Sequence, residues 1–183
     1  MLRRDFLSLS TRTTGVALAA GPLASQMIAA TPGVKPMGIA LMGLGNYATR
    51  QLAKAFKETQ NCHLAGVVSG DPEKAKRWSV EHGFAESNIY NYDNFDSIAT
   101  NSDIDIVYIV LPNAMHLEFI ERAAKAGKHV ICEKPMTVTA EESHRAIKAC
   151  RDAGVQLSVG YRLHFDPNYR ALMLARGEPN FGD

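Results

Sequence analysis

The chain has 183 residues, a formal net charge of +1, 46% hydrophobic residues and 21% charged residues. That is enough length for one domain with a real core, in the balance of an ordinary soluble globular protein. A charge so near zero gives no electrostatic footprint for nucleic acid or another polyanion. Three scattered cysteines, Cys62, Cys132 and Cys150, argue against a disulfide framework and have no metal-ligand spacing, so they read as small core residues and no metal is expected.

The first thirty residues stand apart. "LRRDFLSLS" carries two adjacent arginines, and the apolar, small-residue run "TGVALAAGPLASQMIAA" ends in Ile28-Ala29-Ala30. The pattern is that of a twin-arginine export signal over residues 1–30, with a periplasmic destination. The rival readings are a membrane anchor and an amphipathic surface helix. Gly21, Pro22, Ser25 and Gln26 interrupt the run, so a stable anchor is not expected, and no regular polar face supports a surface helix. "TPGVKP", residues 31–36, follows as a short arm.

From Met37 the periodicity changes. "MGIALMG" is an apolar run with no polar face, the pattern of a strand covered on both sides. "ATRQLAKAFKET" has Leu52, Ala55 and Phe56 at helical spacing. "HLAGVVSG" is a second strand. Asp71-Pro72 is a helix N-cap and first turn, and that helix runs to about His82-Gly83. "DNFDSIATN" is a short helix and "IDIVYIVLP" the longest buried strand. "AMHLEFIERAAKAGK" is a helix stopped by Gly127, "HVICEK" a strand, and "TAEESHRAIKACRDAG" a helix from Thr139 to Gly154. "VQLSVGYR" is the last strand. Strands alternating with helices predict an α/β fold with a doubly wound parallel sheet over residues 37–160. In such sheets ligands bind outside the carboxyl ends of the strands.

Chemistry clusters at those ends. Gly43, Leu44, Gly45, Asn46, Tyr47 and Ala48 form G-x-G-x-x-A between the first strand and first helix. Gly43 permits the tight turn, Gly45 the approach of a pyrophosphate and Ala48 close helix–strand packing, which is the Rossmann-type dinucleotide fingerprint. The second strand ends in Ser69-Gly70, with Asp71 one place later and Lys74 one turn into the helix. Ser69 and Lys74 suit the 2′-phosphate of NADP; Asp71 serving the ribose of NAD is the less favoured reading. After the central strand come Leu111, Pro112 and Asn113, with His116 in the next helix's first turn. Position alone allows His116 to be a capping or exposed residue, or to stand with Asn113 beside the nicotinamide. Glu133 and Lys134 close "HVICEK" before Pro135. A partly dehydrated Lys134 next to a cationic nicotinamide could exchange a substrate proton during hydride transfer, with Glu133 orienting it.

These motifs, in this order, resemble the Gfo/Idh/MocA oxidoreductase family. "VSGDPEKAK", "IYNYDNFD", "YIVLPNAMH", "AGKHVICEKPM" and "GYRLHFDPNYR" are similar to its periplasmic glucose–fructose oxidoreductase group, over about Gly38 to Asp183. The resemblance implies that Lys134 is catalytic and that Lys134-Pro135 is a cis peptide. It implies that Ser69, Lys74, Tyr92, Asn113, Glu133 and Arg162 contact the cofactor. It further implies a sugar substrate; the export signal adds that, with no free NADP pool in a periplasm, the NADP is tightly held and reused as one sugar is oxidised and another reduced. The family has a second, mostly antiparallel α/β domain that carries the substrate pocket, the acid–base partner of Lys134 and the oligomer interface. Residues 161–183 would be only its start, so a homo-oligomer is expected only with that domain present. The alternative function is a truncated nucleotide-binding module without turnover.

Overall fold

The computed structural model describes residues 35–175. The export-signal reading and the first part of the arm lie outside the described residues. Strand β1 (Met37–Met42) runs through a turn into a π-helical stretch, Ala48–Leu52, continued by α1 (Ala53–Ala55). Then follow β2 (Cys62–Val68), α2 (Pro72–His82), β3 (Ile89–Tyr90) and a 3-10 segment, Phe95–Thr100. Next come β4 (Ile106–Ile109), a 3-10 turn Asn113–Met115, α3 (His116–Lys125) and β5 (His129–Cys132). Finally come α4 (Ala140–Asp152), β6 (Leu157–Val159), a 3-10 turn Arg162–Phe165 and α5 (Pro167–Leu174).

The six strands are parallel in the order β3-β2-β1-β4-β5-β6. The chain starts at β1, fills one side, then crosses to β4 on the other. The crevice at that reversal, beyond the carboxyl ends of β1 and β4, is where this sheet type binds ligands. Alternate residues of β1 serve opposite layers. Ala40 and Met42 join Phe119, Ile120 and Ala146 of α3 and α4, while Leu41 joins Ala48, Leu52, Ala75 and Trp78 of the first helix and α2. Helix starts follow local chemistry. Asp71 Oδ1 accepts the Lys74 N–H at 2.9 Å with Pro72 behind it. Thr139 Oγ1 accepts the Glu142 N–H at 3.1 Å while Glu142 Oε2 accepts from Val138 N at 3.0 Å, a reciprocal lock on the start of α4.

Four elements differ from expectation. The two-residue strand β3 is too short to show an alternation. The Phe95–Thr100 helix is 3-10 rather than α. "IDIVYIVLP" yields a four-residue β4, shorter than the seven-residue β2; it alternates half-buried and buried residues, because the described residues cover one of its faces less fully. In the first helix the Ala53 N–H reaches back to the Ala48 carbonyl. That wider turn inserts a residue, so Ala53 rather than Ala55 faces inward beside Leu52.

Candidate functional site

The site begins where β1 ends. Gly43 has φ +93°, and a Cβ there would lie 2.4 Å from the Val110 carbonyl oxygen. Left-handed backbone and contact with the segment after β4 together demand glycine. Gly45 is the opposite case, since an added Cβ meets nothing within 4 Å. It borders open space at the start of the first helix, a cradle that fits the approach of a pyrophosphate. Leu44 is buried, so its side chain belongs to the core and only its backbone faces this loop. Asn46 is exposed and Tyr47 half-buried.

One group of expected residues gathers at the ends of β1, β2 and β3. The Lys74 ammonium donates to the Leu44 carbonyl, tying α2 to the glycine loop and putting a cation there. The buried Ser69 hydroxyl accepts from Asp71 N at 3.1 Å and donates to Asp71 O at 3.3 Å. Gly70 sits against Tyr92, whose ring edge would be 3.2 Å from a Cβ there. Tyr92 packs on Phe119 with ring centroids 5.6 Å apart, and its carbonyl accepts from Arg122 Nη2 at 2.9 Å. Burial raises the Tyr92 phenol's pKa and the Gly70 backbone eases that shift. A hydroxyl, an ammonium and an aromatic ring thus gather at the ends of β1, β2 and β3.

A second group lines a cleft of about 580 Å³ that includes Tyr47, Val110, Leu111, Glu133, Lys134, Gly160 and Arg162. It opens at the carboxyl ends of β4, β5 and β6. Lys134-Pro135 is a cis peptide, as the family resemblance implies. Glu133 accepts from the Tyr108 hydroxyl at 2.7 Å through Oε1 and from the backbone N–H of Lys134 at 3.3 Å through Oε2. It therefore holds the Lys134 backbone and does not orient the amine, a correction to the sequence reading. Lys134 is exposed, so the expected dehydrated surroundings are not supplied by the described residues.

His116 resolves the choice left open by position alone. It is fully buried, and neither caps the helix in solvent nor reaches the cleft. Its Nδ1 lies 3.0 Å from the Pro135 carbonyl and 3.2 Å from that of Met136, and its Nε2 lies 2.9 Å from the Leu111 carbonyl. The ring braces the turn after β4 against the Lys134-Pro135 loop. Asn113 and Pro112 are exposed on that turn and are not among the cleft's walls.

Sequence reasoning missed Tyr108 and Gly160. Burial raises the pKa of the Tyr108 phenol, and the adjacent Glu133 carboxylate raises it further, so it stays a donor. Gly160 brings the end of β6 so close that a Cβ would stand 2.9 Å from Glu133 Oε1. Two-residue alternation on β4 does place Tyr108 opposite the Val107 and Ile109 core face; the sequence contained no sign that its hydroxyl meets Glu133. Among the described residues no cluster of His, Cys, Asp or Glu could hold a metal ion, and no helix is long and apolar enough to cross a membrane.

Comparison with known proteins adds an independent line. Residues 37–161 match the Gfo/Idh/MocA model, described as an oxidoreductase family with an NAD-binding Rossmann fold. The D-xylose 1-dehydrogenase [NADP(+)] of Haloarcula marismortui is 36% identical over 135 residues, which are 74% of this chain and 37% of that protein. The aldose-aldose oxidoreductase of Caulobacter crescentus, solved with glycerol, is 46% identical with a TM-score of 0.75, covering 78% of this chain and 43% of that one. A 3-ketoreductase from Actinomadura kijaniata, in complex with TDP-benzene and NADP, is 26% identical with a TM-score of 0.72, over 81% of this chain and 46% of that one. The chain thus spans about two fifths of the length of these relatives.

Proposed function

The chain belongs to the Gfo/Idh/MocA oxidoreductase family, and on that premise we propose that it is the NADP-holding part of a sugar oxidoreductase. The observation that carries this is one cleft, at the sheet's reversal point, joining the glycine loop through Tyr47 to Lys134 and Arg162. The residues present fit a dinucleotide: Gly45 leaves the cradle open, and Lys74 and Ser69, which now donate to the Leu44 and Asp71 carbonyls, would turn to a 2′-phosphate on binding. The NADP-dependent xylose dehydrogenase and the NADP complex of the ketoreductase support NADP over NAD. Bound NADP would supply the acceptor and donor of hydride.

This chain's own residues do the rest. The Lys134 amine takes the proton of a sugar hydroxyl as that carbon is oxidised, and returns one when a second sugar is reduced. Arg162 and Tyr47 flank the same space and position what enters it. The finer reading is hydride exchange between two sugars, of the glucose–fructose kind, on a cofactor that never leaves. The aldose-aldose oxidoreductase supports exchange between sugars as the reaction type. Export through a twin-arginine signal to the periplasm belongs to the same proposal, since an exported enzyme has no free nucleotide pool and would need to reuse its cofactor. The full activity, its sugars and any homo-oligomer are proposed for the protein as a whole.

The test is to load the protein with NADP, remove free nucleotide, and add an aldose alone. The near-ultraviolet absorbance of reduced nicotinamide should rise once per site and fall when a second sugar is added. A protein that turns over only with freely exchanging NADP would overturn the exchange reading. A second reading, nucleotide binding without turnover, is favoured by the exposure of Lys134; it predicts NADP binding with no absorbance change.

A further inference from the structure

We propose that Tyr108 is a positioning residue whose hydroxyl, by holding the Glu133 carboxylate inward, keeps the adjacent Lys134 ammonium free of an ion pair. The inference rests on the reading of Lys134 as the proton-exchanging group. It starts from an unexpected choice of partner. Glu133 shares its cleft with two cations, Lys134 and Arg162, and a carboxylate there would ordinarily pair with one of them. Among the described residues it pairs with neither. Its Oε1 takes the Tyr108 hydroxyl at 2.7 Å and its Oε2 the Lys134 backbone N–H at 3.3 Å.

Two separate elements hold the carboxylate in that direction. Tyr108 comes from β4. Tyr47, at the start of the first helix, lines the same cleft beside Glu133. From the end of β6, Gly160 lies so close that a Cβ would be 2.9 Å from Oε1 and 3.2 Å from Cδ. Any side chain at 160 would push the carboxylate outward. The arrangement solves a problem set by the Glu133-Lys134 sequence itself. An amine that must exchange a proton with a sugar hydroxyl is less available when its own neighbour's carboxylate is bound to it. The Tyr108 hydroxyl and the Lys134 backbone N–H give the carboxylate its hydrogen bonds, so the backbone of Lys134 is fixed while its ammonium stays free.

Trace labelling of amines in the full 183-residue chain, read peptide by peptide by mass spectrometry, tests this without relying on turnover. Tyr108→Phe frees Oε1, so Lys134 should label roughly fivefold more slowly, the factor that a partly exposed ion pair supports, while Lys54 and Lys76 serve as references. Tyr108→Phe combined with Glu133→Gln should restore the wild-type rate. Rescue by removing the carboxylate is a result that a merely structural tyrosine would not give. Gly160→Ala, which displaces the carboxylate with Tyr108 intact, should slow Lys134 in the same way and serves where Tyr108→Phe fails to fold. Unchanged Lys134 labelling in a folded variant, or a fall that Glu133→Gln does not reverse, overturns the proposal. If the labelling pattern holds and the chain binds no NADP, the functional reading falls and the tyrosine clamp stands. If sugars turn over and labelling ignores Tyr108, the clamp alone falls.

Discussion

Replacing His116 by alanine should damage the site from behind, without touching the cleft. The ring is fully buried and meets the carbonyls of Leu111, Pro135 and Met136. A carbonyl only accepts, and a neutral ring has one N–H, so at least one bond is lost. That bond is worth about 1 kcal/mol net, and a carbonyl left buried without a partner costs about 1–3 kcal/mol. The vacated ring volume adds a cavity, and large-to-small core changes cost about 2–5 kcal/mol in total. These overlapping terms give about 3 kcal/mol. For a domain of this size each kcal/mol moves the melting point by about 2–4 °C, so a fall of about 6–12 °C is expected. Circular dichroism of wild type and variant without nucleotide measures it. His116→Gln, which can still donate to one side, should fall between the two. The second readout is NADP affinity, which should weaken because Leu111 and Lys134 lose their common support. A variant that melts within about a degree of wild type would refute the bracing role.

The two glycines of the loop should separate stability from binding. Gly43→Ala forces a side chain into left-handed backbone, which costs about 1–2 kcal/mol, and against Val110 O at 2.4 Å, so it should lower the melting point by several degrees. Gly45→Ala meets no atom within 4 Å; it should melt like wild type and lose NADP affinity in a fluorescence titration. Lys74→Met removes the ammonium beside the Leu44 carbonyl and should weaken NADP roughly tenfold, as loss of a charge-assisted bond does, with a smaller effect on NAD. An aromatic disulfide reagent should titrate Cys62 in the native chain and reach Cys132 and Cys150 only after denaturation. Burial, with the Glu133 charge adding, pushes the Cys132 thiol up to about 12, and burial raises Cys150. Because the folded thiol holds its proton above the unfolded value of 9.0, its contribution to stability is complete below pH 9 and is lost as pH rises toward 12. Tyr47, Tyr92 and Tyr108 are raised in the same sense, so alkaline denaturation monitored by tyrosine absorbance should be steep.

The fold was legible because strand–helix alternation and the helix stops are local signals. Asp71-Pro72 and Thr139 act through neighbours three residues away, and a sequence displays such spacings directly. The first helix misled because a π-helical turn changes the period that the reading assumes. In the site, Gly43 was legible as a turn glycine, though the Val110 carbonyl that also requires it is 67 residues away. His116 was visible as a residue of interest, but its role depends on carbonyls of Leu111, Pro135 and Met136, and backbone carbonyls carry no residue-type signal. Tyr108 failed to stand out for a related reason. A tyrosine on a strand is ordinary, and only register pairing of β4 with β5, which sets Tyr108 beside Ile131, brings its hydroxyl to the end of the next strand.

The two halves of the site rest on different supports, and this bears on how they can be perturbed. At one end Ser69, Lys74 and Tyr92 depend on α2 and on Arg122, whose guanidinium also lies over Phe119 at 4.9 Å and pairs with Asp96 at 2.8 Å. At the other end Lys134 depends on His116 beneath the loop and on the Tyr108–Glu133 contact beside it. Changes at Arg122 should therefore act on nucleotide affinity, and changes at Tyr108 on the amine. The second half carries a further constraint. Lys134 is exposed among the described residues, so nothing there keeps water from it. On the proposed function, exclusion of water would come from the nucleotide, the sugar, or surface outside residues 35–175. An amine that acquires its dry environment only when the site fills has to be free of its own carboxylate beforehand, because an ion pair carried into that closure would grow stronger as the surrounding dielectric falls.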